Sequence, residues 1–275
     1  MKLKYLGTAA YEGVPSLFCR CRVCRSSLKL GGRNLRSRSQ AIVNDEILLD
    51  FPPDTVWHGM RYGLDWDRIS DCLITHSHSD HLYPEDVEMA SPEYTEQHSP
   101  IRFYAALDGY ERLRKVTDRE FMKQQAIPNL IEPGKRFCIG TEGQYSVLPL
   151  WANHDPSTSP VIYSISCGDK RMLYAHDSGI FPEASFERLA GEGHFDLVSL
   201  DCTGCLSKGW RDGHMCLETN LEVLERMRKM QLIDDQTVVV LNHFSHNGGQ
   251  NYEEMQQEAD KYGILVSYDG MEIEF

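Results

Sequence analysis

Six residues in the first third of the chain constrain the fold more than any other feature. Residues 76–81 read His-Ser-His-Ser-Asp-His, so four of the six side chains are types that bind metal ions. They directly follow residues 71–75, Asp-Cys-Leu-Ile-Thr, which we predict to be a short buried strand. His76 and His78 are two residues apart, so in extended chain they point the same way and can bind one ion together. Asp80 and His81 can face a second ion if the chain turns after Ser79. The alternative, a polar surface loop with scattered histidines, is disfavoured by this density of ligand types.

The rest of the chain alternates short strands and amphipathic helices. Strands are predicted at 2–7, 40–44, 46–50, 101–105, 145–151, 161–166, 170–175, 196–200, 237–242, 263–267 and 271–275. Helices are predicted at 55–62, 108–116, 183–190, 218–230 and 252–262. Two strand-rich halves flanked by helices indicate two sheets packed face to face, in the α/β class, with helices outside. No linker divides the chain, so we predict a single domain over residues 1–275.

The pattern His-x-His-x-Asp-His after a short apolar strand resembles the signature of the metallo-β-lactamase-fold hydrolases. That resemblance implies a four-layer αββα sandwich with two divalent metal ions, zinc or manganese, at one edge between the sheets. It also implies three further ligands, each after a predicted strand: His154 completes the first site, Asp177 bridges both ions and His243 completes the second. The first site is then His76, His78, His154 and Asp177, and the second is Asp80, His81, His243 and Asp177. His176 points the opposite way from Asp177 on its strand, so we expect it to be structural or to support a ligand.

A second metal site is predicted near the N-terminus, where Cys19, Cys21 and Cys24 form a Cys-x-Cys-x-x-Cys motif. Three thiolates this close can occupy three corners of a tetrahedral zinc site. The fourth ligand must come from elsewhere, either His246 or one of the Cys202–Cys205 pair. The motif resembles the branch of the fold that contains the cyclic phosphodiesterase of phosphonate breakdown and relatives in pyrroloquinoline-quinone biosynthesis. That resemblance implies His246 as the fourth ligand of a structural zinc.

Composition limits the partners and the compartment. The formal net charge is −13, which lowers the expectation of a nucleic-acid partner, and metal ions can still bind a small anionic substrate. Nine cysteines and no apolar run long enough to cross a membrane fit a cytoplasmic protein without a disulfide framework. We expect a small-molecule substrate and no membrane partner. The chain could also form a homodimer.

The expected function is hydrolysis of a small phosphodiester, with a cyclic sugar phosphodiester as one candidate, through a hydroxide that bridges the two ions. The branch resemblance implies His214 as the general acid. Asp201, which follows the end of a predicted strand, could orient it. We predict Asp80 to be catalytic as well as a metal ligand. Three arginines could bind phosphate or brace the zinc loop: Arg33, Arg36 and Arg38. A lactonase or thioesterase would use the same metal core. A nuclease of the transfer-RNA processing type would share the histidine cluster but would need a basic arm to bind RNA. The third alternative is not an enzyme: it is a metal-bearing accessory protein of cofactor biosynthesis. His58, His98 and His194 lack a motif and are expected to be structural.

Overall fold

Two mixed seven-stranded sheets form the centre of the computed structural model, which describes residues 1–96 and 99–275. The first sheet has the strand order β14-β1-β2-β3-β4-β5-β6, and the second has the order β13-β12-β11-β10-β9-β8-β7. The strands are β1 Lys2–Gly7, β2 Gln40–Val43, β3 Ile47–Leu49, β4 Asp71–Leu73, β5 Ile101–Ala105, β6 Ala126–Leu130, β7 Phe137–Ile139, β8 Tyr145–Trp151, β9 Val161–Cys167, β10 Lys170–Ala175, β11 Leu197–Asp201, β12 Val238–Asn242, β13 Leu265–Val266 and β14 Glu272–Glu274. Strands β3 to β6 run parallel, as do β10 to β13.

The helices cover the outer faces of both sheets. They are α1 Arg22–Leu30, α2 Thr55–Tyr62, α3 Pro84–Val87, α4 Leu107–Thr117, α5 Glu183–Leu189, α6 Leu217–Lys229 and α7 Tyr252–Ala259. Among the described residues, no helix is long and apolar enough to cross a membrane.

Three layers of apolar side chains hold these four layers of backbone together. The middle layer joins the inner faces of the sheets, with Leu3 and Tyr5 of β1 in the same cluster as Tyr163 and Met172 of the second sheet. One outer layer packs the first sheet against α4, and the other packs the second sheet against α5, α6 and α7. Side chains within a strand alternate between layers, as the two-residue period of a strand requires. The predicted four-layer αββα sandwich is therefore confirmed.

The parallel strands all deliver their carboxyl ends to one edge of the sandwich. Asp50 follows β3, His76 comes shortly after β4, Asp177 follows β10 and His243 follows β12. His154 follows β8, which runs antiparallel to β9 and therefore in the same direction as β10. In open α/β sheets, ligands bind at the edge formed by the carboxyl ends of the strands. In this protein, side chains that are far apart in sequence lie close together at that edge.

The elements differ from the sequence prediction in a few places. Helices α1 and α3 and strands β6 and β7 were not predicted. The predicted helix over 252–262 ends at Ala259 and continues as the 3₁₀ turn Asp260–Tyr262. The predicted strand over 263–267 is reduced to Leu265–Val266.

Candidate metal centre

Three histidines form the first cluster at the carboxyl edge. The Nδ1 atom of His78 lies 2.9 Å from Nε2 of His76 and 3.2 Å from Nε2 of His154. On its far side, His154 donates from Nδ1 to the carbonyl of Gly213 at 2.8 Å, which leaves Nε2 as the ring atom that faces the cluster. Three imidazole nitrogens pointing at one another are a common arrangement for zinc and similar ions.

The second cluster lies beside the first and is more deeply buried. His81 Nε2 lies 3.2 Å from a carboxylate oxygen of Asp80 and 2.6 Å from Oδ2 of Asp177. His243 Nε2 approaches the same Asp177 oxygen at 2.8 Å. The other Asp177 oxygen, Oδ1, lies 3.6 Å from His154 Nε2 in the first cluster. Asp177 therefore presents one oxygen to each cluster, as a bridging ligand would.

Unpaired atoms at the junction show that these residues fit a cation. His81 Nε2, His243 Nε2 and Asp177 Oδ2 are buried and lack a partner in hydrogen-bonding geometry, although the two nitrogens lie 2.6 and 2.8 Å from the Asp177 oxygen. A buried polar atom without a hydrogen bond is costly. A divalent ion held between the imidazoles and the carboxylates would satisfy all three atoms.

Two buried aspartates orient the imidazoles from behind. Asp50 accepts from Nδ1 of His81 at 2.7 Å and from the backbone N–H of Thr75 at 2.7 Å. Asp201 lies 3.2 Å from Nδ1 of His243. Carboxylates in this position fix the ring orientation and increase the basicity of a metal-binding histidine. Asp50 was missed by the sequence analysis because it was counted as the last residue of the predicted strand over 46–50, whereas β3 ends at Leu49.

Three residues at the edge have left-handed backbone conformations that non-glycine residues rarely adopt. Asp50 has a φ angle of 67°, Asp177 of 50° and His243 of 63°. Each lies just after the last residue of a parallel strand or one residue beyond it. Such conformations cluster at functional sites, where the surrounding structure maintains them.

His214 lies next to the clusters and is paired with the aspartate predicted to orient it. Its Nδ1 atom is 3.0 Å from Oδ2 of Asp201 and 3.7 Å from Oδ1 of Asp177. Burial alone would lower the pKa of His214, but the charge and hydrogen bond of Asp201 outweigh burial and raise it. The imidazole therefore tends to hold a proton beside both clusters.

A cavity of about 440 Å³ opens over the two clusters. His78, Asp80, His154, Asp177, His214 and His243 line its floor, and its walls include Tyr11, Glu12, Trp210 and Asn247. None of the three arginines considered as phosphate binders reaches it. Arg36 is buried and donates to Thr8 and to the carbonyl of Ser267, Arg38 pairs with Asp54, and Arg33 contacts Tyr252. These contacts fix the three arginines to the surrounding fold, and none of the partners named belongs to the cysteine motif.

The cysteine motif forms a separate cluster with His246. The Nδ1 atom of His246 lies 3.6 Å from Cys19 Sγ and 3.5 Å from Cys21 Sγ. The four candidate ligand atoms, one each from Cys19, Cys21, Cys24 and His246, all lie within 4.8 Å of one another. Burial alone would raise the pKa of the Cys21 thiol. Hydrogen bonds from the Cys24 N–H, the other two thiols and His246 instead lower it to about 6.

The two rival cysteines lie elsewhere. Cys202 and Cys205 are buried in the apolar layer under α6, and neither belongs to a ligand cluster among the described residues. The geometry thus favours His246 over this pair as the fourth member of the cysteine cluster.

The remaining histidines occupy structural positions. His58 and His176 are buried in hydrogen-bond networks with Gln40 and Ser199, and His194 faces Asp234 at the surface. His98 lies outside the described residues.

Comparison with known families agrees with this geometry. Residues 47–244, more than half of the chain, match the family described as the beta-lactamase superfamily domain. The chain belongs to the beta-lactamase superfamily. The predicted resemblance to the metallo-β-lactamase-fold hydrolases is confirmed, and family, fold and His/Asp clusters together indicate a metal-dependent hydrolase.

Several solved structures of the superfamily share the whole fold. A diphosphatase from the PhnP family is 24% identical, with a TM-score of 0.74 over 100% of this chain and 96% of that one. Zn²⁺-bound PqqB from Methylobacterium extorquens is 19% identical, with a TM-score of 0.73 over 100% of both chains. The short form of human tRNase Z is 18% identical, with a TM-score of 0.67 over 100% of this chain and 99% of that one. At these identities the likeness establishes the fold alone.

A curated relative is similar over a shorter stretch. The octanoyltransferase of Porphyromonas gingivalis is 33% identical over 86 residues, which is 30% of this chain and 16% of that protein. The similarity therefore covers only a small part of the relative's length.

Proposed function

We propose that this protein is a dinuclear metal-dependent phosphodiesterase that acts on a small phosphodiester. The observation that carries the proposal is the placement of Asp177, whose two carboxylate oxygens face two separate ligand clusters. Two divalent ions held there would lower the pKa of a water molecule and stabilise the charge that develops around phosphorus. The first ion would be held by His76, His78, His154 and Asp177, and the second by Asp80, His81, His243 and Asp177.

The chain's own residues would do the remaining work. Asp50 and Asp201 hold the rings of His81 and His243 in place. The pair with Asp201 would stabilise the protonated ring of His214 at Nδ1, and the proton on the other ring nitrogen, Nε2, would go to the departing oxygen, as a phosphodiester of a poor leaving group requires. The PhnP-family diphosphatase and tRNase Z act on phosphorus–oxygen bonds by name, which supports the same substrate class here.

The test compares three substrate classes on one preparation whose metal content has been counted. Bis(p-nitrophenyl) phosphate should be hydrolysed faster than a γ-lactone or an octanoyl thioester. The thioester is included because the partial relative is an octanoyltransferase by name. Asp177→Asn should abolish the activity, whereas Asp169→Asn, a matched change at an exposed turn before β10, should retain it.

Two results would contradict the proposal in different ways. Faster turnover of the lactone or the thioester would assign the metal core to a different ester class. Full metal content without turnover of any ester would indicate the accessory-protein alternative, of which Zn²⁺-bound PqqB could be the structural parallel. The seven well-placed candidate ligands argue against that alternative, because a site that had lost its function would have lost some of them.

A further inference from the structure

The cavity is larger than two metal ions require, and residues outside the metal clusters line part of it. Its walls include two aromatic side chains and one carboxylate, Tyr11, Trp210 and Glu12, which belong to neither metal cluster. In a pocket beside a reactive centre, such residues fix the part of the substrate that does not react. Their chemistry therefore bears on which phosphodiester the site accepts.

Trp210 is held rigidly at the wall. Its ring lies so close to the backbone of Gly204 that a Cβ atom at that glycine would be 2.8 Å from the indole. Its carbonyl accepts a hydrogen bond from the Thr219 hydroxyl at 2.8 Å, which ties it to α6. The indole centroid lies 6.2 Å from that of His214, so the aromatic surface is next to the predicted general acid.

Tyr11 and Glu12 lie together on the turn that follows β1. The carbonyl of Tyr11 accepts from Arg38 Nε at 2.8 Å, and its ring is 61% exposed. Oε1 of Glu12 accepts a hydrogen bond from the Ser245 hydroxyl and lies 3.6 Å from His246 Nε2. These contacts fix a carboxylate at the cavity wall.

The charge of this wall discriminates between substrate classes. No lysine or arginine is among the residues that line the cavity, all of which belong to the described part of the chain. A second anionic group on the substrate would face the Glu12 carboxylate, and Arg38, whose guanidinium carbon lies 5.9 Å from the centroid of the Tyr11 ring, is not among the lining residues. A cation would gain from both the carboxylate and the aromatic faces, since ammonium groups bind over Trp and Tyr rings.

We infer that the substrate of the proposed phosphodiesterase carries a cationic arm, a quaternary ammonium or amine, bound by Tyr11, Glu12 and Trp210. The inference rests on the proposed function and specifies its substrate class. A neutral planar ring would also stack on the aromatic residues, but it would gain nothing from the charge of Glu12.

The decisive experiment uses two substrates of the same shape. p-Nitrophenyl phosphorylcholine and p-nitrophenyl 3,3-dimethylbutyl phosphate share a leaving group and differ only by a positively charged nitrogen in place of a carbon. We expect kcat/KM to be about 10-fold higher for the choline ester, because one cation–aromatic contact with charge assistance is of that size. Equal kcat/KM values would overturn the inference, and a neutral base-bearing phosphodiester that is preferred over both would replace it with ring stacking.

Two variants locate the effect. Trp210→Leu and Glu12→Gln should each reduce the choline preference several-fold while leaving turnover of the neutral ester much less changed. Trp57→Leu, at a half-exposed tryptophan of α2 outside the cavity, is the matched control and should keep the full preference. Because Glu12 contacts His246, zinc content is measured in each variant. If Trp210→Leu and Glu12→Gln both keep the full preference for the choline ester, these residues do not bind the cationic arm.

A binding measurement gives a readout that does not depend on turnover. Tetramethylammonium chloride should quench tryptophan fluorescence in the wild-type protein more than sodium chloride does, and this difference should disappear in Trp210→Leu. Failure of the proposed function is distinguishable, since it would appear as faster turnover of the lactone or the thioester, or as no turnover of both choline-type esters and of bis(p-nitrophenyl) phosphate. In that case the ammonium-specific quench would still show that a cation binds beside Trp210. Absence of this quench in the wild-type protein would count against the inference.

Discussion

His214 and Asp201 form a pair whose role can be separated from that of the metals. If His214 protonates the leaving oxygen, His214→Ala should lose about 10²–10⁴-fold in rate on a diester with an alkoxide leaving group. The loss should be much smaller with p-nitrophenolate, which departs without a proton. Steady-state rates on the two substrates give the comparison, and His194→Ala at an exposed histidine serves as the control. Similar losses on both substrates would exclude the acid role.

His58 should make the protein less stable in acid. It is buried between Ser37 and Gln40, and burial, together with the nearby Arg61, lowers its pKa from 6.5 to about 3. The folded chain keeps this ring neutral, so the unfolded chain takes up the proton first as the pH falls from 6.5 towards 3. The contribution is therefore fully present above pH 6.5 and is lost on acidification, by about 2 kcal/mol at pH 5.

The measurement is the free energy of urea unfolding at pH 7 and pH 5. His58→Gln should be less stable than wild type at pH 7 and should lose about 2 kcal/mol less between the two pH values. His194→Ala again provides the exposed control. An unchanged pH slope in His58→Gln would show that the folded chain protonates this ring as readily as the unfolded chain does, and would contradict the prediction.

We expect the segment from Cys19 to the end of α1 to depend on a bound metal more than on apolar packing. Cys21 caps α1 by accepting the N–H of Cys24 at 3.4 Å, and only Val23, Cys24 and Ser27 of the helix are buried. The fourth ligand, His246, belongs to the turn after β12. A zinc at this cluster would therefore join two distant parts of the chain, and metal binding of this kind contributes directly to folding.

His246→Ala should lose one zinc per chain and melt at a lower temperature. Elemental analysis and calorimetry measure the two effects, and Cys138→Ser, at an exposed thiol outside the clusters, is the matched control. Retention of all zinc with unchanged melting would point to Cys202 or Cys205 as the ligand.

Buried strands were predicted from the sequence more accurately than half-exposed ones. Strands such as 145–151 and 161–166 were predicted almost to the residue because both of their faces are buried. Strand β6 contains Pro128 and is half-exposed, and β7 has three residues, so neither has the continuous apolar run that signals a strand. Helix α1 was missed because its sequence is basic and its cap is a thiol instead of the usual Ser, Thr, Asp or Asn.

At the scale of the whole molecule, we expect three metal ions per chain, two at the sheet edge and one at the cysteine cluster. Elemental analysis of protein purified with zinc or manganese should give this total. His76→Ala and Asp80→Asn should each lower it by about one ion, because they belong to different sites. Asp169→Asn should leave the total unchanged. A single ion at the edge of the wild-type protein, at full occupancy, would contradict the two-metal mechanism.

The sequence indicated the fold and most members of the centre because both depend on strand ends. His76 could be selected from a dense ligand motif after a predicted strand, and the family resemblance implied Asp177 and His243 at the ends of two further predicted strands. The topology then brings these ends together. The cavity walls could not be predicted in the same way. Tyr11 and Trp210 lie in loops whose approach to the cavity depends on tertiary contacts such as the close packing on Gly204. The single domain over residues 1–275, the cytoplasmic location and the homodimer stay predictions.

The left-handed turns at Asp50, Asp177 and His243 have a consequence for the chain before it acquires metal. Each conformation costs of order 1 kcal/mol, and the edge also buries one carboxylate oxygen and two imidazole nitrogens that lack hydrogen-bond partners, those of Asp177, His81 and His243. In metal-free protein these turns should open well before the sheets unfold. Hydrogen exchange should then show rapid exchange at residues 50, 177 and 243, with slow exchange in β10 and β11. Newly made chains that have not yet bound metal would be open to proteases at this edge first.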